Sequence, residues 1–130
     1  MSVEKLQAKM LEMPQAAVET VHRFCDGCYA REISIPAGVM IVGAKHKTEH
    51  FHVISKGVLV ISNMGKEEVF KAPYTGVTKP GSKRAIVAIE DSVFTTFHPT
   101  KEKDIEKIER EIIEDEGLKI TNSGGRKCLG

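Results

Sequence analysis

The chain contains no tryptophan, and aromatic residues make up only 5% of its 130 residues. Single-stranded nucleic acid is held by stacking bases on aromatic rings, and this chain has little to offer for that. A dominant charge is also missing. Nineteen basic residues face eighteen acidic ones, leaving +1 at pH 7. Composition therefore excludes a strongly basic module, and nucleic acid is not expected as a partner. No apolar run reaches the roughly 18 residues of a membrane span, so no membrane partner is expected either. The opening MSVEKLQAKMLEMPQ is charged and interrupted by Pro14, unlike a secretory signal. Three cysteines are an odd number in such a chain. They read as reduced thiols, which predicts a cytoplasmic location. No glycine-rich phosphate loop, nucleophile elbow or Ser-His-Asp order is present.

What is present fits one domain at 14.3 kDa. A short helix is predicted within residues 1–19, from Leu6, Met10 and Met13, with Pro14 ending it. Seven of the eleven glycines lie between Gly27 and Gly81. That stretch reads as eight short strands within residues 20–100: TVHRF, YAREISI, VMIVGAKH, HFHVIS, VLVISN, EEVFKA, RAIVAI and VFTTFH. PAG, SKG, NMG, APYTG, KPGS and EDS read as the turns between them. Many short strands predict an antiparallel sandwich or a small barrel, and closure into a barrel would remove exposed edges. Residues 101–117 read as an amphipathic helix with Ile105, Ile108 and Ile112 on one stripe. Thr100 is its expected N-cap and Gly117 its expected C-cap. Residues 118–130 have no apolar period and read as a flexible tail.

Three of the five histidines, His46, His50 and His52, fall within PAGVMIVGAKHKTEHFHVISKGVLV. Side chains alternate along a strand, so His50 and His52 share a face. A hairpin turning at KTE would set His46 opposite one of them. Imidazoles on the inner wall of a barrel are natural ligands for Zn, Fe, Mn or Ni. A turn centred on Asp91 would pair Arg84 with His98 and turn both to one face. In YAREISI, one of Arg31 and Glu32 points inward, and an inward Arg31 needs a buried partner. His22 reads as a structural hydrogen-bonding residue. Residues 45–84 carry eight basic side chains against three acidic ones, a local +5 that reads as a solvated face or an attraction for anions. Cys25 and Cys28 form a single Cys-x-x-Cys, which alone is a weak zinc or redox signal.

These segments resemble the cupin superfamily. Gly38 is followed by five residues, Ala44 stands at the first histidine position of the first motif, and His46 at the second. His50 falls on the glutamate position and Gly57 closes the motif. The second motif resembles TGVTKPGSKRAIVAI, with Arg84 where a histidine would stand. The resemblance is closest to small cupin-like proteins of bacteriophages and some bacteria. It rests on Pro14–Gln15, His22–Phe24, Gly27–Glu32, Pro36–Gly38, His46 to Gly57, Pro80 to Arg84 and Glu90 to His98.

The resemblance implies a cupin-type antiparallel β-barrel, a jelly roll or double-stranded β-helix, with a short N-terminal and a longer C-terminal helix. It implies a divalent metal on His46 and His50, and the expected pairing with Arg84 makes His98, or else His52, the candidate for the ligand lost there. Arginine cannot ligate a metal, so Arg84, with His52, is expected to hold a small anionic ligand. A homodimer built on the strand YAREISI is a further implication. Three functions stay open: a metal-binding cupin, catalytic or not; a non-catalytic small-molecule binder; and a phage structural or host-interaction protein using the barrel as scaffold.

Overall fold

The computed structural model describes residues 18–43, 45–63 and 65–113. The expected N-terminal helix, the Gly117 cap, the tail and Ala44 lie outside the described residues. Nine strands follow one another: β1 (Glu19–Cys25), β2 (Cys28–Ile35), β3 (Met40–Val42), β4 (His50–Lys56), β5 (Val58–Asn63), β6 (Lys66–Lys71), β7 (Tyr74–Thr78), β8 (Arg84–Ala88) and β9 (Ser92–Pro99). One helix, α1 (Ile105–Ile112), ends the described chain. The strands form two antiparallel sheets, ordered β1-β2-β9-β4-β7 and β3-β8-β5-β6. This is a jelly roll of two facing sheets; hydrogen bonds do not close it into a continuous barrel.

Strict alternation builds its interior. In β2, Tyr29, Arg31, Ile33 and Ile35 turn inward; in β4, His50, His52 and Ile54; in β9, Ser92, Phe94, Thr96 and His98. The apolar members gather at one end with Ile41, Leu59, Ile61, Ile86 and Ala88 of the opposite sheet. Each fully buried Ile, Leu or Phe there contributes on the order of 1.5–3 kcal/mol relative to exposure. The polar members are left at the other end, beside a smaller cluster of Tyr29, Ile108 and Ile112 that seats α1.

Several expectations need correction. APYTG is not only a turn: after Ala72 and Pro73 the chain enters β7 and pairs with β4. Gly76 looks like a turn signal in the sequence but serves a strand, because a Cβ there would lie 2.6 Å from His52 Nε2. β8 and β9 do not pair, since they belong to different sheets, and His98 stands opposite Tyr29 instead of Arg84. β3 and β4 likewise form no hairpin, and His46 sits outside both, bridged to Ile113.

The C-terminal helix is shorter than 101–117. Glu102 takes the amides of Lys103 and Asp104 with its own carboxylate, and Asp104, not Thr100, is the N-cap. At the other end Ile113 is extended and stops the helix. YAREISI is β2, hydrogen-bonded on both sides by β1 and β9, so it has no edge to offer a second copy. No helix among the described residues is long and apolar enough to cross a membrane.

Candidate metal and anion site

The alternation that fills the apolar end leaves polar side chains with nowhere to go but the interior at the other. His50 comes from β4, His98 from β9 and His46 from the segment before β4. Their rings gather with centroids 4.6 Å apart for His46 and His50, 4.3 Å for His50 and His98, and 5.9 Å for His46 and His98. All three are buried, the most exposed at 4%.

Local hydrogen bonds fix what these rings present. His50 Nδ1 lies 3.1 Å from the Thr48 carbonyl, which can only accept, so Nδ1 carries the proton and Nε2 the lone pair. That Nε2 is buried and has no hydrogen-bond partner among the described residues. The His50 pKa is lowered to about 4, chiefly by burial, with the Thr48 bond opposing and the Arg84 charge assisting. His98 Nε2 lies 2.9 Å from Thr96 Oγ1, and its Nδ1 is buried without a hydrogen-bond partner among the described residues. Burial brings His98 to about 2, with His50, His46, Arg31 and Arg84 adding repulsion. The His50 and His98 rings are therefore neutral near pH 7, and each keeps a buried nitrogen with no hydrogen-bond partner among the described residues, at a cost that a bound group would relieve.

His52 and Arg84 are brought together, as expected of them, through a residue the sequence reading passed over. Arg84 Nη1 donates to Thr78 Oγ1 at 2.9 Å. The Thr78 proton is then available to His52 Nδ1, also at 2.9 Å. The Arg84 guanidinium stands 5.2 Å above the Phe94 ring, and the His52 ring lies 5.6 Å from the same ring. Burial lowers the pKa of Arg84 to about 10, so it remains a cation near pH 7. His52 falls to about 4, through burial first and then the charges of Arg84 and His50.

Behind His98 stands Tyr29, its ring 5.8 Å away. Arg31 is the inward residue of its pair. Its Nε donates to the Tyr29 hydroxyl at 2.9 Å and its Nη2 to Glu109 of α1 at 3.1 Å. The buried partner it requires is thus a carboxylate, delivered from 78 residues away. The Tyr29 hydroxyl also shares a hydrogen bond with His22 Nδ1 at 2.6 Å. Parity in YAREISI was the available signal for Tyr29; nothing local pointed to Thr78 or Glu109.

The donor chemistry suits a divalent metal. A neutral histidine held by a carbonyl on one nitrogen and bare on the other is the usual form of a protein ligand. The arrangement is less suited. Among the described residues, no group of three or more His, Cys, Asp or Glu side chains is placed so as to hold an ion. Two buried guanidiniums also act on the cluster.

No family model matches the chain, and no curated protein matches it. Solved structures do. A cupin superfamily protein from Desulfitobacterium hafniense is 13% identical over 71% of this chain and 85% of its own, with TM-score 0.57. A cupin domain from Schizosaccharomyces pombe is 16% identical over 75% of this chain and 69% of its own, at 0.55. A salicylate 1,2-dioxygenase from Pseudoaminobacter salicylatoxidans is 10% identical at 0.60, and this chain covers 84% of itself but only 34% of that enzyme. At such identities the likeness shows the fold, and the fold is that of cupins.

Proposed function

We propose that this chain is a small cupin that binds a divalent metal ion through His46, His50 and His98, with a small anion seated towards Arg84 and His52. The observation that carries the reading is His50, whose proton is fixed on Nδ1 by Thr48 while its buried Nε2 has no hydrogen-bond partner among the described residues and its ring lies 4.3 Å from that of His98. Zn, Fe, Mn or Ni all suit imidazole nitrogen, and a bound ion would supply Lewis acidity to a small substrate. Arg84 would hold the charge of the anion, with Thr78 fixing its guanidinium and Phe94 covering one face. The similarity in fold to a dioxygenase is compatible with a catalytic role and does not require one.

A second reading has the same pocket binding an anion without metal. It is favoured by the two guanidiniums that bear on His98. In a third, the phage scaffold implied by the sequence resemblance, the pocket is empty in use. A homodimer is part of the proposal, using an edge other than β2.

Elemental analysis after loading with Zn, Ni, Mn and Fe decides the first reading. One ion per chain is expected, and His46→Ala with His50→Ala should abolish it while the far-ultraviolet spectrum is kept. Substoichiometric amounts of every metal would refute it.

A further inference from the structure

The Cys-x-x-Cys lies at the tip of the β1–β2 hairpin and is not part of the histidine cluster. Cys25 and Cys28 are direct partners in the strand register, flanking a turn of Asp26 and Gly27. The turn needs its glycine, which has φ of 76°. The neighbouring pair, Phe24 and Tyr29, stacks at 5.2 Å on the face that Tyr29 turns inward, with Phe24 itself exposed. Alternation therefore puts both cysteines on the outer face, side by side. Directly opposed residues have Cβ atoms about 4.5–5.5 Å apart, and a disulfide needs about 3.5–4.5 Å. A small closure of the hairpin tip would join them. Both thiols are free, Cys25 exposed and Cys28 half-buried.

We propose that Cys25 and Cys28 form a reversible dithiol–disulfide site, oxidised by low-molecular-weight disulfides of the glutathione type. Cys25, the exposed member, attacks first as thiolate. Its sulfur bonds to one sulfur of the oxidant, and the other sulfur leaves as a thiolate. Cys28, once deprotonated, attacks Cys25 in the mixed disulfide and expels the second small thiol. The two protein thiols lose two electrons and two protons, and the oxidant becomes two thiols. Burial and the adjacent Cys25 push the Cys28 thiol upward, which suits a resolving role.

The geometry favours switching over bracing. A loop with two intervening residues restricts the unfolded chain little. The turn is already pinned, with Thr100 N–H donating to the Gly27 carbonyl at 3.1 Å. Exposed disulfides of this kind are the readily reduced ones. The hairpin carries Tyr29 against His98 on its inner side, so the bond would form one residue from the wall of the histidine cluster.

The test uses the full chain with Cys128→Ser, which removes the third thiol. It is incubated with excess oxidised glutathione, quenched by alkylation and mapped by mass spectrometry. The expected product is two hydrogens lighter, carries no adduct, and regains both thiols with dithiothreitol. Cys28→Ser should trap glutathione on Cys25. A stable adduct on Cys25 with Cys28 present, or two free thiols after treatment, would overturn the proposal.

Discussion

Acid should unfold this protein early, because its interior holds neutral histidines. His50 and His52 lie at about 4 and His98 at about 2 in the folded state, all lowered chiefly by burial. In the unfolded chain each returns to about 6.5. Below that value the unfolded state binds more protons than the folded one, so stability falls with falling pH. It is fully present above about 6.5 and is lost down to about 4 for His50 and His52, with His98 continuing towards about 2.

One proton per histidine corresponds to about 1.4 kcal/mol per pH unit. Lowering the pH from 7.5 to 5 therefore costs about 2 kcal/mol for each of the three, or about 6 kcal/mol together. That is comparable to the whole stability of an ordinary domain, on the order of 5–15 kcal/mol. The assay is urea unfolding of chelator-treated protein at both pH values. His52→Gln should remove about one proton from the slope whatever it does to absolute stability. A stability at pH 5 within about 1 kcal/mol of that at pH 7.5 would refute the reasoning.

Arg84→Gln should weaken binding of phosphate and small carboxylates and tighten metal binding, while Arg84→Lys keeps the charge but loses the forked geometry and also weakens the anion; equal anion affinity in all three proteins, by calorimetry, would remove Arg84 from the pocket. Gly76→Ala should cost about 1–3 kcal/mol in urea unfolding, because the new Cβ would lie 2.6 Å from His52 Nε2 and 2.9 Å from the Tyr74 ring. Unchanged stability would mean that His52 moves freely, against its anchoring by Thr78 and Phe94. Light scattering should give twice 14.3 kDa across concentrations, and a monomer throughout would reject the homodimer.

The sequence by itself determined which face of each strand is buried. Parity alone sets Tyr29, Arg31, Ile33 and Ile35 together, and His50, His52 and Ile54 together, because side chains alternate with a period of two whatever the strand pairs with. It also made the cupin-like order of elements legible, and the polar character of one end of the interior. Partner choice was decided only in three dimensions. A hairpin of β8 with β9 is the local solution for EDS, yet burying two apolar faces against each other sends these strands to opposite sheets. His98 still meets His50, because β4 and β9 are neighbours in one sheet whose register, Phe51 opposite Phe97, sets the next inward pair side by side, and His46 joins them from the segment before β4. The turn-like Pro73 and Gly76 concealed β7, and with it Thr78, the hydroxyl that joins His52 to Arg84. Glu109 was equally out of reach of local reading. A buried guanidinium needs an opposite charge, but only the packing of α1 on Tyr29 selects which of many carboxylates arrives.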